Sequence, residues 1–433
     1  MCNVQQSGLA SRENASCLTS PMQNSDLRIQ SFLKFAYFID RHDELRPIDF
    51  SRIERARYRE STEAELIELG RAALRSTFEA LWTSGDHVVP LSGGFDSRLI
   101  LAQLLEFTDA KKLSTVTFGV PGSYDFELGS AIAKRLGTRH TALPLNELPY
   151  HEDELMALAA RTGRRVHLFY SPPIREVDRL CGGAVVWSGY IGDLVAGSHL
   201  HEHPSPTLDA AKRLHLQTRT FVHSIKLNRC EDEVFLPHVD TLGLDPAVMS
   251  FDEQLVYAEA VKKYTAPAIL YQGIDFRTPF INSAWMDFML SVPDRFRMGQ
   301  RLMLEIADRA FPELFALPSR NNVGFPRGTR RELLTLTRWT NKGRKLLRRW
   351  IPQLGYPPVL YNDYDLAFRT NPSFRRIVLQ KLERLKQRGI VDWLDIDQLV
   401  RRHDRRLKNH GDALIILASL EILLEAEEAD VAA

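Results

Sequence analysis

The stretch that decides the fold is "VVPLSGGFDSRLILAQLL", residues 88–105. Val88 and Val89, with Leu91 beyond Pro90, make a short apolar run of the kind a buried strand uses. After it, Leu99, Leu101, Ala102, Leu104 and Leu105 recur at helical spacing. The residues between are therefore a loop joining a strand end to a helix start. Gly93 and Gly94 give that loop backbone freedom that a Cβ would remove. Its amide N–H groups can then converge on one concavity, beside the positive end of a helix beginning near Asp96. Such a concavity suits phosphate. Ser92 and Ser97 add hydroxyl donors, but Asp96 is a poor direct neighbour for phosphate unless a divalent cation lies between them. Magnesium is the expected companion, bound by an Asp96 that faces solvent.

Outward from this loop, "STVTFGV" (114–120), "TALPL" (141–145) and "AVVWSG" (184–189) read as further strands. Helical patterns flank and separate them, from Glu63 to Leu81 and over 125–137. Alternation of this kind predicts an α/β fold, a parallel sheet wound with helices, with ligands at the C-terminal ends of the strands. From about residue 210 the pattern is almost wholly helical, with turns at "PFIN", "LPSR" and "YPPV". Three parts are expected: a short N-terminal extension (1–85), an α/β nucleotide domain (86–330) and a helical C-terminal region packed on it (331–433). In the extension, a polar stretch rich in Ser, Asn and Gln precedes the first dense apolar segment, "SFLKFAYFID" (31–40).

A second loop resembles the first. In "WSGYIGDLVAG" (187–197) a short strand runs into Ser188 and Gly189, with Asp193 five residues after Ser188. Two small-residue loops at the ends of two parallel strands, each supplying one acid, could hold a cation between them beside a polyphosphate. Asp96 and Asp193 are accordingly the candidate metal ligands; a helix N-cap is the plainer role for Asp193.

Composition narrows the setting. With 44% hydrophobic and 26% charged residues, 433 residues can bury an ample core. Lys and Arg number 56 against 55 Asp and Glu, so no overall field recommends nucleic acid or an anionic membrane as partner. Cys2, Cys17, Cys181 and Cys230 are too scattered for a disulfide framework and form no Cys-x-x-Cys pair, which favours a reducing cytoplasm. No apolar run reaches the length of a membrane span.

The string Ser92-Gly93-Gly94-Phe95-Asp96-Ser97 lacks the Gly-Lys-Ser/Thr ending of a Walker loop and resembles the pyrophosphate loop of the ATP pyrophosphatase superfamily. In order around it stand "TFGVPGSYDFELGSAIAKRLGTRH" (117–140), the Ser188 loop and "IDFRTPFIN" (274–282). Together, over roughly residues 86–330, they resemble the synthetase domain of the asparagine synthetase family. That resemblance implies ATP and Mg2+ as cofactors. Leu91, Ser92, Gly93, Gly94, Asp96 and Ser97 would then hold the nucleotide's pyrophosphate, Phe118 and Gly119 would line the adenine side, and Ser188 and Gly189 would close over it. It further implies activation of a carboxylate as an acyl-adenylate, release of pyrophosphate and transfer of the acyl group to ammonia or an amine. A carboxylate is a weak nucleophile, so neutralising the departing pyrophosphate is the help such a reaction needs.

Three departures from the family qualify this. Only about 85 residues precede the synthetase part, and nothing after Cys2 reads as a glutaminase sandwich, so nitrogen is expected as free ammonia, from a separate donor protein or as a substrate amine. Tyr190 stands where asparagine-forming members have an acid, and resembles the tyrosine of the β-lactam synthetase branch, which pairs with a glutamate. Asp275 occupies that glutamate's place. Two readings stay open: a Tyr190–Asp275 dyad acting as base, or a stacking Tyr190 with Asp275 paired to Arg277. Last, Asn322 replaces the family's lysine within Arg320-Asn321-Asn322-Val323-Gly324-Phe325. Arg320, Arg327 and Arg301 are the cations available to compensate, and Arg320 is the expected catalytic one.

Other features invite plainer readings. His199, His201 and His203 alternate as zinc ligands might, but read better as a surface loop. The basic run 330–349 reads as an amphipathic helix interrupted by Asn341 and Gly343, whose basic face is solvated, with docking of an acidic carrier protein or nucleic acid as the alternative. The leading function is an ATP-dependent carbon–nitrogen ligase acting on a small carboxylic acid. The alternatives are a nucleotide-binding scaffold with a degraded site, or another ATP pyrophosphatase such as a tRNA-modifying or NAD-forming enzyme.

Overall fold

Five strands, all parallel, form one sheet in the order β3-β2-β1-β4-β5. They are β1 (His87–Pro90), β2 (Leu113–Gly119), β3 (Arg139–Pro144), β4 (Val185–Trp187) and β5 (Asp275–Arg277). The computed structural model describes residues 24–41, 47–347 and 361–432. Cys2, Cys17, the "YPPV" turn and the last residues of the basic run lie outside these. The first four strands fall where the apolar runs predict them. β5 is the strand that the almost wholly helical pattern after residue 210 conceals. Its three residues are too few to show a period, and it owes its existence to pairing with β4, Val185 opposite Asp275 and Trp187 opposite Arg277.

Helices cover the sheet. α1 spans Asn24–Phe35 and α2 spans Glu63–Leu81. α2 begins where Thr62 and Glu65 form a capping box, which satisfies two of the helix's free N–H groups. Its Phe78 stacks on Trp187 of β4 at 5.2 Å, and the Trp187 indole donates to His87 Nδ1 at 3.0 Å. α3 (Asp96–Leu104) leaves the first loop, and Ser97 through Leu104 are all buried, as befits a helix enclosed on every side. α4 (Tyr124–Leu136) starts at the Ser123 cap and stops at Gly137, whose φ of 75° is left-handed.

The last helix, Gly411–Ala432, is apolar nearly all round and packs between the helix Pro372–Arg388, the helix Glu152–Arg161 and α1. One continuous cluster of buried side chains runs from Phe32 through the sheet to Ala426. Among the described residues no helix is long and apolar enough to cross a membrane. The basic segment forms one helix, Arg331–Leu347, that passes through Asn341 and Gly343 without the expected interruption. Asn341 is turned inward, its Nδ2 donating to the Tyr124 hydroxyl at 3.4 Å, so a polar residue anchors that helix.

Candidate nucleotide and metal site

From β1 the chain builds β2 and β3 to one side, then crosses back to place β4 on the other side of β1. That reversal opens a crevice at the C-terminal ends of β1 and β4, where open α/β sheets bind ligands. The loops that follow these two strands are Leu91–Phe95 and Ser188–Ile191, running into Asp96 and Asp193.

Leu91 is buried, its N–H donates to Val116 O at 2.8 Å and its carbonyl accepts from Thr117 Oγ1 at 2.8 Å, both in β2, before the chain turns away. Ser92 and Ser97 staple the turn: Ser97 Oγ accepts the Ser92 N–H at 3.1 Å, and Ser92 Oγ accepts the Gly94 N–H at 3.2 Å. The Gly93 N–H donates to Asp125 Oδ1 at 3.2 Å. Neither Gly93 nor Gly94 has positive φ, so the expected need for unusual backbone angles gives way to a need for space. A Cβ on Gly93 would lie 2.8 Å from Tyr124 O.

In the second loop Ser188 Oγ accepts the Tyr190 N–H at 3.2 Å. Ile191 sits at φ 49°, a left-handed conformation that a β-branched residue rarely adopts. The turn it makes presses two glycines onto the first loop. A Cβ on Gly189 would come within 3.2 Å of Asp96 Cβ, and one on Gly192 within 2.9 Å of Asp96 Oδ1.

Asp96 is therefore enclosed rather than solvent-facing, a correction to its expected place. The residue is partly buried, and its Oδ1 is sealed from solvent with no hydrogen-bond partner among the described residues. Burial, and then the nearby Asp193 carboxylate, push its pKa up to about 8, against a smaller lowering by Arg320. Asp193 lies in the first turn of the short helix Gly192–Val195, where its Oδ2 accepts from Ser198 Oγ at 3.1 Å. An orphaned buried carboxyl oxygen facing a second acid is a donor set suited to a hard divalent cation, and Mg2+ fits it.

On the expected adenine side, Phe118 and Gly119 are covered by a residue that no motif pointed to. The Tyr361 ring meets Phe118 edge-on at 5.7 Å, its carbonyl accepts the Val120 N–H at 2.9 Å, and a Cβ on Gly119 would lie 3.2 Å from that oxygen. Burial, with Asp125 adding to it, raises the Tyr361 phenol to about 12.

The candidate catalytic residues separate. Tyr190 is buried, within electrostatic reach of Tyr257, whose own hydroxyl is enclosed beside Glu253, Arg297 and Asp193. Asp275 enters the sheet opposite Val185, a strand's length before the Ser188 loop, and pairs with Arg277. Of the three arginines, Arg301 pairs with Glu63, and Arg327 with Glu305 and Asp308. Arg320 alone stands at the glycine loop: its N–H donates to Gly93 O at 2.9 Å and its Nη1 to Asp125 Oδ2 at 2.8 Å. His199 is turned inward against the Tyr257 ring, and burial lowers its pKa to about 4, whereas His201 and His203 are exposed. The three histidines do not converge, and no group of three metal-binding side chains occurs among the described residues.

Sheet, switch point and paired loops define an α/β nucleotide-binding fold. The family model described as Asparagine synthase matches residues 73–239, which takes in both loops. The chain is 24% identical to asparagine synthetase [glutamine-hydrolyzing] 3 of Arabidopsis thaliana over 247 residues, 52% of this chain and 36% of that protein. It is 27% identical to asparagine synthetase [glutamine-hydrolyzing] 2 of the same plant over 175 residues, 36% of this chain and 29% of that protein. The chain thus spans about a third of the length of the curated relatives it matches.

Proposed function

We propose that the protein is an ATP-dependent amide-forming ligase that activates a small carboxylic acid as an acyl-adenylate, releases pyrophosphate and passes the acyl group to ammonia or an amine. The observation that carries this reading is the unpartnered Asp96 Oδ1, held between Gly189 and Gly192 beside a glycine loop at the sheet's switch point. Asp96 and Asp193 would hold Mg2+, which when bound neutralises charge on the departing pyrophosphate. The protein's own part is a loop whose Ser92, Gly93 and Gly94 N–H donors rest on Ser97 Oγ, Asp125 and Ser92 Oγ and would turn to the polyphosphate when it binds. Ser92, Gly93, Gly94 and Ser97 form the polyphosphate seat, and Ser188 and Gly189 close it from the β4 side. Phe118, Gly119 and Tyr361 form the wall on the base side. Arg320 supplies the cation that Asn322 does not, which removes the main reason for a scaffold without catalysis. Tyr190 is assigned to the acyl-acceptor side of the site; Asp275, paired with Arg277, has no catalytic part.

Exchange of labelled pyrophosphate into ATP tests this. The proposal expects exchange that requires both Mg2+ and a carboxylic acid from a panel, and that disappears in Asp96→Asn. Acid-dependent release of orthophosphate with ADP instead would reject the adenylate route.

A further inference from the structure

Asp125 lies within the stretch 117–140 and carries none of the roles assigned above, yet it sits at the centre of the site. It is 3% exposed, and its two carboxylate oxygens serve two separate elements. Oδ1 accepts the Gly93 N–H at 3.2 Å, and Oδ2 accepts from Arg320 Nη1 at 2.8 Å. Gly93 in turn accepts the Arg320 N–H at 2.9 Å, which closes a ring of three bonds between the glycine loop, α4 and the 319–325 loop.

The backbone of Arg320 is held independently of Asp125. The buried Arg98 of α3 donates to Leu317 O at 3.0 Å and to Pro318 O at 2.6 Å, just before Arg320. Gly324 N–H returns to Ser319 O at 2.9 Å, closing the 319–325 loop on itself. The long side chain is another matter: it is 43% exposed and has several rotatable bonds. Asp125 takes Nη1, and with that end held, Nη2 lies 3.6 Å from where a Cβ on Gly94 would be. The guanidinium fork thus has one prong on a buried acid and the other against the glycine loop.

We propose that Asp125 is a positioning residue that holds the Arg320 guanidinium over the glycine loop for the pyrophosphate group. The proposal rests on the ligase reading above, since it presupposes that the loop binds polyphosphate. It makes an unusual demand on sign. Removing a carboxylate from an anion site adds one unit of positive charge, so by electrostatics alone Asp125→Asn should tighten anion binding. If Asp125 positions the arginine, the same change should weaken binding, because an unanchored arginine must be ordered each time the anion arrives.

The test is titration of the full-length chain with inorganic pyrophosphate in the presence of Mg2+, read by calorimetry. Asp125→Asn is expected to weaken binding about three- to tenfold, and Arg320→Ala about tenfold or more. The double variant should bind no more weakly than Arg320→Ala alone, and Asp125→Glu should recover part of the loss. Tighter or unchanged binding in Asp125→Asn overturns the proposal, as does full additivity of the two changes. Should Asp125→Asn not fold, Arg320→Lys decides: a single ammonium cannot span both partners, so it should lose nearly as much as Arg320→Ala, and wild-type affinity would overturn the proposal. A wild-type chain that binds no pyrophosphate removes the ligase reading, and this inference with it, whereas normal wild-type binding with an indifferent Asp125 removes the inference alone.

Discussion

Replacing Asp96 by Asn has opposite effects on stability and on chemistry, and their combination is the test. In the metal-free fold Asp96 titrates at about 8 against an ordinary 3.8. Between those values the native protein keeps a proton that the unfolded chain has released, so stability is fullest at low pH and falls as pH rises towards about 8. From about pH 5.5 to about pH 8 the loss is about 3 kcal/mol, at roughly 1.36 kcal/mol per pH unit. In a chain of this length that corresponds to roughly 3–6 °C in melting temperature. Asparagine fills the same space without the charge, so in EDTA the variant should melt at least as high as wild type near pH 8 and lose this part of the pH dependence. With MgCl2 and ATP the order should reverse, because only the wild type gains from binding. Pyrophosphate release should fall at least about a hundredfold. Thermal scans at the two pH values, with EDTA or with MgCl2 and ATP, supply the four comparisons. Equal pH dependence in both proteins, or wild-type pyrophosphate release by Asp96→Asn, would refute the reasoning.

Three further outcomes follow from the placement of individual residues. Gly93→Ala pushes a Cβ to 2.8 Å from Tyr124 O, and should cost about 1–3 kcal/mol of stability and most nucleotide binding, read by denaturant unfolding and calorimetry. Asn322→Lys should slow pyrophosphate release rather than speed it, since Arg320 already stands at the loop; a gain of about tenfold would show that the site still lacks a cation. Asp275→Asn should leave the rate within about twofold of wild type, because it breaks only the exposed pair with Arg277; a loss of about a hundredfold would restore the dyad with Tyr190.

Much of the sheet could be read in advance because each of β1 to β4 carries an apolar run that a turn or a helical pattern interrupts. β5 could not, since Asp275-Phe276-Arg277 has no periodicity of its own and becomes a strand through its partner β4. The two loops were legible as motifs, but their relation was not. That Gly189 and Gly192 close on Asp96, burying an acid expected in solvent, depends on the crossing from β3 to β4. Asp125 shows the limit most plainly. An acid in the first turn of a helix is ordinarily read as favourable to the helix dipole. Its hydrogen bonds to Gly93 and to Arg320, 195 residues away in the chain, make it part of a site. Tyr361 is hidden for the same reason, since its contacts with Phe118 and Val120 bridge segments far apart in the chain.

The central claim is that the chain cleaves ATP between its α- and β-phosphates to join a carboxylate to a nitrogen. The most direct measurement incubates the protein with Mg2+, a panel of carboxylic acids with ammonia or amines, and ATP labelled at the α- and γ-phosphates, then identifies every product. The account predicts AMP, pyrophosphate and an amide in equal amounts, all lost together in Asp96→Asn. Formation of ADP and orthophosphate, or a wild-type protein that does not bind Mg2+ and ATP at all, would contradict it.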